Sequence, residues 1–329
     1  MRLAERDRWR YPTDNKTHVN FQTANLMTSL PQYSISSSCP EAFLPVSRSQ
    51  VDQGTIKFCQ ATKDGFEIES VIIPMGAEDH AWKTLCVSSQ IGCARGCTFC
   101  QTGRMGFIRN LTANEIVGQA HAARVRFGAQ IRNVVFMGMG EPLDNLDHVV
   151  AAVRLFHEDR KHPVARRRIT ISTVGKCAGI RRLSRLGWKR LGLAVSLNAP
   201  NDEIRSQIMP INQTDPMDQL HEAIRSYPIR GGGHVLIEYV LLKELNDQPD
   251  HARELAEYLK GLRTCVNLIP WNPCEGMAFE TPDEETIDRF QQILMEAGQL
   301  AFQRHTKGRN AMGACGQLGN PALRLAKKA

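Results

Sequence analysis

The chain has 329 residues, of which 42% are hydrophobic and 23% charged, and it carries a formal net charge of +7. This length allows about two domains with a substantial core, and the composition excludes a peptide-sized, disordered or collagen-like protein. The first residues lack the apolar run of a signal peptide, and no stretch approaches the roughly 18 apolar residues of a membrane span. We therefore expect a cytoplasmic protein, whose positive charge suits a phosphate-rich partner without requiring one.

The first 80 residues lack the helical periodicity of the rest of the chain. The serine-rich stretch Ser34–Pro40 predicts a loop. Two short runs rich in apolar and β-branched residues, Thr55–Thr62 and Phe66–Ile73, flank Asp64–Gly65, which is a strong hairpin signal. We therefore expect residues 1–78 to form an accessory segment that contains a β-hairpin.

From Trp82 onward, short apolar runs alternate with amphipathic segments in units of about 30 residues. Such units imply parallel strands joined by right-handed crossovers. Six units are too few for a closed eight-unit barrel, so the sequence predicts an α/β fold with a partial (β/α)6 barrel over residues 79–308 and a site at the carboxyl ends of its strands. The six expected strands, followed by one optional strand, are Leu85–Ser88, Val134–Met137, Ile169–Ser172, Leu193–Leu197, Val235–Leu241, Val266–Ile269 and Leu300–Gln303.

Two of the predicted helices begin with a capping box, in which a threonine and a glutamate three residues later satisfy each other's backbone N–H groups. Thr112 with Glu115 forms the first box. Thr281 with Glu284 forms the second, where Pro282 would occupy the first helical position. Apolar residues then recur at three- and four-residue spacing until a glycine ends each helix. These signals support the alternation of strands and helices.

Cys93, Cys97 and Cys100 place three thiols on one tight loop just after the first barrel strand. Three thiolates satisfy three irons of a four-iron cluster and leave the fourth iron open to a small chelating molecule. The alternative is a zinc site completed by Cys86 or a histidine, but zinc ligands generally come as two separated pairs. The spacing therefore favours a [4Fe-4S] cluster. The other six cysteines are scattered, as small buried hydrophobic residues are.

The C-x3-C-x2-C spacing after a first strand, followed by repeated strand–helix units, resembles the radical S-adenosylmethionine (SAM) superfamily, whose cosubstrate chelates the fourth iron. In that superfamily a Gly-Glu pair after the second strand meets the amino group of SAM, and Gly140 and Glu141 match it. A cation needs an acceptor, and glycine lets the main chain approach closely. The further residues expected to bind SAM at the same rim are Ser172, Ser196, Leu197, Asn198 and Asn272.

Residues 56–319 also resemble one family more closely, the radical SAM RNA adenine methyltransferases. These enzymes modify an adenine ring carbon in 23S ribosomal RNA and, in some members, in transfer RNA. The similarity is closest to the dual-specificity enzymes that methylate C2, although Asn198 stands where many members have histidine. The matching motifs are Thr84–Cys93, Gly103–Phe107, Gly138–Pro142, Leu268–Pro273 and Ala314–Leu318.

The resemblance gives the distant cysteine, Cys315, a chemical role. A ring carbon between two nitrogens has no lone pair, so it cannot attack a sulfonium methyl group directly. The resemblance implies that Cys315 first takes a methyl group, which a 5′-deoxyadenosyl radical converts to a carbon radical that adds to adenine. It further implies that Cys86 resolves the RNA adduct through a transient disulfide and that Glu69 accepts a proton. The tail that carries Cys315 would span residues 309–329.

The partners that this resemblance implies are RNA and an electron donor such as flavodoxin, and we expect a monomer. Two alternatives stay open: methylation of adenine at C8, and an RNA-binding protein that keeps an iron–sulfur or zinc centre without catalysis. Retention of both Cys86 and Cys315 argues against the second. The basic groups that could contact RNA phosphates are Arg166–Arg168, Arg181, Arg182, Arg185 and Lys327–Lys328.

Overall fold

The computed structural model describes residues 44–76 and 82–320, so the predicted loop Ser34–Pro40 and the basic pair Lys327–Lys328 lie outside the described residues. Ten strands of this part form one sheet, and two short strands pair with each other. The strands, numbered in chain order, are β1 (Val46–Asp52), β2 (Thr55–Ala61), β3 (Glu67–Met75), β4 (Trp82–Cys86), β5 (Gln90–Gly92), β6 (Phe107–Asn110), β7 (Ile131–Phe136), β8 (Ile169–Thr173), β9 (Gly192–Ser196), β10 (Val235–Leu241), β11 (Thr264–Pro270) and β12 (Leu300–Gln303).

The strands β1 to β4 form the antiparallel end of the large sheet. The predicted hairpin is confirmed as β2 and β3, with Ala61 opposite Glu67 and Gly65 at a positive φ in the turn. The strand β1 was not predicted, because it is polar and mostly exposed at the sheet edge. Because β3 pairs with β4, the hairpin extends the barrel sheet.

From β4 onward every neighbouring pair of strands is parallel, in the order β4, β7, β8, β9, β10, β11, β12. The predicted α/β fold is therefore confirmed, and the optional last strand is present as β12. The parallel part has seven strands, one more than the six of the firm prediction, and the sheet stays open with β1 and β12 at its two ends. All parallel strands direct their carboxyl ends to one edge, where loops build the site.

The capping box of Thr112 and Glu115 is confirmed at the start of the second helix. The box predicted at Thr281 is wrong, because the Thr281 hydroxyl donates to the carbonyl oxygen of Trp271 at 2.7 Å. The nearer Asp283 caps the last helix instead. The helices, numbered in chain order, are α1 (Gln101–Met105), α2 (Ala113–Phe127), α3 (Leu146–Glu158), α4 (Cys177–Ser184), α5 (Asp202–Ile208), α6 (Met217–Arg225), α7 (Pro249–Tyr258) and α8 (Glu284–Glu296).

The core lies between the parallel strands and the helices that cover them. Leu85, Val134, Ile171 and Ile237, on different strands, are fully buried together with apolar side chains of the helices. Burial of such side chains contributes about 2 kcal/mol each, so the core supports a rigid frame for the loops above it. Within the described residues, no helix combines the length and apolarity needed to cross a membrane.

Candidate active site

Cys93, Cys97 and Cys100 lie on a loop that the paired strands β5 and β6 flank. The loop is tight where these strands meet, because a Cβ atom on Gly92 would lie 1.8 Å from the carbonyl oxygen of Gly106. Gly92 also has a φ of +72°, which side-chain-bearing residues rarely adopt. Glycine is therefore required where the chain enters the cysteine loop.

The three thiols have the chemistry that the predicted cluster needs. Cys93 and Cys97 are each 8% exposed and Cys100 is half-buried. Burial raises the pKa of Cys93 to about 12 and that of Cys97 well above its ordinary value, so iron binding must displace their protons. Within residues 44–76 and 82–320, no three cysteine, histidine or acidic side chains converge as the ligands of one metal ion would. A four-iron cluster takes each thiolate on a different iron, so separated sulfurs on one loop fit it.

A cleft of about 850 Å³ opens beside this loop at the carboxyl ends of the parallel strands. It brings together most of the residues that the sequence predicted for the site, although they come from widely separated parts of the chain. Cys93 and Leu197 do not line it, and the Leu197 side chain is fully buried in the core. The predicted residues that line the cleft are Cys97, Cys100, Gly140, Glu141, Ser172, Ser196, Asn198, Asn272 and Cys315.

Glu141 is a buried carboxyl group that joins the loops after β7 and β8. One oxygen accepts a hydrogen bond from the backbone N–H of Leu143 at 2.9 Å, and the other accepts from Val174 at 2.8 Å. Its own N–H donates to the side chain of Gln90, against which a Cβ atom on Gly140 would collide at 2.5 Å. Burial raises the pKa of Glu141 to about 7, although the two N–H groups oppose the shift. A ligand ammonium group in the cleft would favour the ionised carboxylate.

Asn198 adopts a φ of +59°, a left-handed conformation that asparagine tolerates better than most residues. Its side-chain oxygen accepts from the backbone N–H of Val240 at 2.9 Å, and its amide nitrogen lies 3.3 Å from the sulfur of Met209. The amide therefore joins the end of β9 to β10 while the residue borders the cleft. Ser172 and Ser196, half-buried at neighbouring strand ends, also line the cleft.

Cys315 lies at the junction of this cleft and a second cavity of about 1310 Å³, which Cys86 also lines. Both cysteines are free thiols. Burial, with the charge of Cys315 adding to it, raises the pKa of Cys86 to about 12, and Arg304 opposes the shift. The structure thus brings two cysteines that are far apart in sequence to one cavity, as the prediction of a transient disulfide requires.

Hydrogen bonds tie the Cys315 loop directly to the cysteine loop. The backbone N–H of Gln101 donates to the carbonyl oxygen of Gly316 at 2.8 Å, and the hydroxyl of Thr102 donates to that of Leu318 at 2.5 Å. Gln101 and Thr102 begin α1, immediately after the last predicted cluster ligand. The candidate methyl acceptor is therefore held beside the candidate cluster by hydrogen bonds to the main chain of its own loop.

Glu69 is 3% exposed, and it lines neither of the two cavities. One carboxylate oxygen lies 2.8 Å from the Nζ of Lys57 and accepts from the backbone N–H of Gly319 at 3.0 Å. The sequence left open which way this side chain points, and the structure buries it beside the end of the Cys315 loop. Its predicted role as proton acceptor stays a prediction.

Sequence reasoning missed two charged residues of the cleft, Glu238 and Arg304. Glu238 is 4% exposed, and only one of its oxygens accepts a hydrogen bond within the described residues, from Asn267 at 3.1 Å. Its other oxygen lies 3.9 Å from Arg304, which lines both cavities next to Cys315. The charge of nearby Cys315 raises the pKa of Arg304 above its ordinary value, and burial raises the pKa of Glu238. An isolated acid in the apolar run Val235–Leu241 was the available signal.

Residues 87–259 match the family model of the radical SAM superfamily. The chain is similar to a probable dual-specificity RNA methyltransferase, RlmN 1, of Protochlamydia amoebophila, with 47% identity over 286 residues that cover 87% of this chain and 79% of the relative. It is equally similar to the dual-specificity RNA methyltransferase RlmN of Halorhodospira halophila, with 47% identity over 82% of this chain and 74% of the relative. This chain belongs to the RlmN family of radical SAM methyltransferases.

A solved structure supports the membership of this RlmN-family chain. A radical SAM methyltransferase from Sphaerobacter thermophilus is 45% identical to it, with a TM-score of 0.78 over 83% of this chain and 80% of that one. The predicted enzyme class is therefore confirmed as a methyltransferase of the radical SAM type, which uses a [4Fe-4S] cluster and SAM. Cys93, Cys97 and Cys100 are the side chains that fit this cluster.

Proposed function

We propose that this chain methylates C2 of adenine in 23S ribosomal RNA and transfer RNA through a methyl group carried on Cys315. The observation that carries the proposal is the position of Cys315, which lines both the cleft beside the cysteine loop and the cavity that contains Cys86. The relatives with 47% identity are named as dual-specificity RNA methyltransferases, which supports RNA as the substrate. A thiol in this position can take a methyl group on one side and be attacked by a second thiol on the other.

The cleft residues would bind SAM and orient it. When bound at the three cysteines, the cluster and SAM together supply a methyl group and a 5′-deoxyadenosyl radical. Glu141 would accept hydrogen bonds from the SAM amino group, and the neighbouring glycines would let the ligand approach the main chain. We propose a flavodoxin-type electron donor and a monomeric enzyme. The proposed SAM-binding residues that line the cleft are Gly140, Glu141, Ser172, Ser196, Asn198 and Asn272, whereas the expected Leu197 is buried in the core.

Cys315 would lose its thiol proton and take the methyl group as a thioether. Loss of one hydrogen atom to the 5′-deoxyadenosyl radical would turn the methyl into a carbon radical, which bonds to adenine C2. Loss of the C2 proton and of one electron, which the oxidised cluster would take up, then restores the aromatic ring and leaves RNA joined to Cys315 through a methylene group. The thiolate of Cys86 attacks the Cys315 sulfur, the carbon–sulfur bond breaks, and the methylene carbon takes a proton. The products are methylated RNA and a Cys86–Cys315 disulfide, which must be reduced before another turnover.

Glu69 is the proposed acceptor of the C2 proton. On β3 it lies two residues before Val71, which pairs with Cys86, so Glu69 and Cys86 lie on the same face of the sheet. Lys57 and the Gly319 N–H hold its carboxylate in one orientation. Glu69 would thus supply a buried carboxylate on the face of the sheet that carries Cys86, held against the end of the Cys315 loop at Gly319.

The proposal is tested with anaerobically reconstituted protein, SAM, a reductant and RNA, followed by mass analysis of the digested nucleosides. We expect 2-methyladenosine from both a 23S ribosomal RNA fragment and a transfer RNA transcript. Cys315→Ala should abolish it, whereas Cys265→Ala, which removes a buried thiol outside the cleft, should retain it. Formation of 8-methyladenosine would instead assign C8, and absence of 5′-deoxyadenosine and of methylated RNA would favour a binding protein without catalysis.

A further inference from the structure

The amino ends of the parallel strands form the edge of the sheet opposite to the catalytic cleft. The connections that lead into strands β7 to β11 at this edge are rich in arginine and lysine, which together number twelve, and they hold a single carboxylate, Asp159. These connections are residues 128–132, 159–168, 185–191, 226–234 and 260–263. Since β10 has seven residues, the two edges are about 20 Å apart. Positive charge is therefore concentrated on the side of the barrel remote from Cys315.

Eight of these residues make up what we term the cationic face. Six are exposed, whereas Arg166 and Arg168 are half-buried. Several arginines elsewhere on the described surface pair with acids, as Arg225 does with Glu222, whereas no member of the cationic face forms an ion pair with a carboxylate of the described residues. Its members are Arg132, Arg166, Arg167, Arg168, Lys189, Arg190, Arg230 and Arg263.

The cationic face is continuous across the strands. Arg168, before β8, donates to the side-chain oxygen of Asn133 on β7 at 3.3 Å. The backbone N–H of Arg230, before β10, donates to the carbonyl oxygen of Lys189, before β9, at 3.1 Å. The guanidinium of Arg263, before β11, donates to the main chain beside Arg230 at 3.3 Å. The charges thus form one row along the edge of the sheet.

Two half-buried tryptophans support this row. The guanidinium of Arg166 lies 4.7 Å from the ring centre of Trp188, and that of Arg132 lies 4.5 Å from the ring centre of Trp82. Stacking on a ring restricts the guanidinium while its N–H groups stay available at its edge. A row of arginines held in this way suits phosphate oxygens, which arginine binds through paired N–H donors.

We infer that the cationic face binds the phosphate backbone of RNA at a site separate from the catalytic cleft. The choice of RNA rests on the proposed function, and the dominance of arginine and the absence of internal ion pairs support it. A short stem–loop seated at the cleft would not span the roughly 20 Å to the opposite edge. A large folded RNA could contact both edges, so the cationic face would select substrates by size and contribute affinity without touching the reacting adenine.

The test measures binding to a labelled full-length transfer RNA transcript and to a short stem–loop of that RNA that contains the target adenine, both without SAM. The variant Arg167→Ala/Arg190→Ala/Arg230→Ala removes three exposed cations of the face. The matched control, Arg225→Ala/Arg253→Ala/Lys260→Ala, removes three exposed cations outside the face that each pair with a carboxylate three residues earlier. Circular dichroism checks that both variants are folded.

We expect the Kd for the full-length transcript to rise about 10-fold or more in the face variant, and the slope of log Kd against log salt concentration to fall by roughly 2, since each phosphate contact contributes about 0.7–0.9. Stem–loop binding and the control variant should stay within about twofold of wild type. Equal binding of the transcript by wild type and face variant overturns the inference. This holds even if the face variant has lost binding to an acidic protein, which would assign the face to a different partner. Face-dependent binding without any RNA methylation would support the inference while removing the proposed function.

Discussion

Asn272 donates a hydrogen bond from its side-chain amide to the main-chain oxygen of Cys315 at 3.0 Å. This bond joins the loop at the carboxyl end of β11 to a loop 43 residues further along the chain. The side-chain oxygen of Asn272 in turn lies 3.4 Å from the Nε of Arg309. Asn272 therefore positions the Cys315 loop as well as bordering the cleft.

Asn272→Ala should slow RNA methylation by about 10- to 100-fold, because a displacement of about 1 Å at a reacting group has an effect of this size. Single-turnover rates measure the effect, and SAM binding measured separately shows whether Asn272 also contacts the ligand. Asn114→Ala, which changes an exposed asparagine of α2, is the control and should keep the wild-type rate. An unchanged rate in Asn272→Ala would show that this hydrogen bond has no part in placing Cys315.

Cys86→Ala should trap the RNA adduct on Cys315. The reason is that the two thiols share a cavity, and without Cys86 no second thiol of the site can attack the Cys315 sulfur. A protein–RNA conjugate stable on a denaturing gel should accumulate, and Cys86→Ala/Cys315→Ala should not form it. Normal product release by Cys86→Ala would contradict the proposed resolution step.

The free energy of unfolding should change with pH because of the protonation of Glu141. Burial raises its pKa from an ordinary value of 4.5 to about 7, so between these values the folded state holds a proton that the unfolded state has lost. Stability is therefore greatest below the unfolded pKa and falls as pH rises through the folded one, by about 2 kcal/mol between pH 5.5 and 8. Urea unfolding without SAM measures it, and Glu141→Gln should flatten this slope. If the free energy of unfolding has the same slope against pH in both proteins, the pKa of Glu141 is not raised.

Lys57→Met should lower the free energy of unfolding by about 3 kcal/mol, because it leaves the buried carboxylate of Glu69 without its closest cation. Arg48, at 3.7 Å and half exposed, is too weak a substitute. The double variant Lys57→Met/Glu69→Gln removes both charges and should recover a large part of the loss. Chemical denaturation of the three proteins gives the comparison, and equal losses in the single and double variants would exclude a coupled pair.

Those parts of the fold and site that depend on local pattern could be predicted from the sequence. The strand order follows from the alternation of apolar runs and helices, and the cysteine loop follows from spacing alone. Position 281 shows the limit, because Thr281 could cap a helix but forms a longer-range hydrogen bond to the end of β11. Local signals did not show which of two nearby caps would be used.

The rest of the site depends on long-range packing that no short motif reports. Arg304 reaches the cleft because β12 adds to the edge of the sheet and leaves the following residue beside Cys315. The direction of Glu69 depends on a lysine twelve residues earlier and on the loop near Gly319. Arg166–Arg168 were expected to contact RNA phosphates, but only the sheet topology places them at the edge opposite to the cleft.

Isotope retention tests the role of Cys315 most directly. Reconstituted protein is given SAM with a fully deuterated methyl group and unlabelled RNA, and the methylated adenosine is analysed by mass. A methyl group that passes through Cys315 loses one deuterium before it bonds to C2 and gains one hydrogen on release, so the product should carry two deuteriums. Retention of all three would show direct transfer and contradict the proposed mechanism.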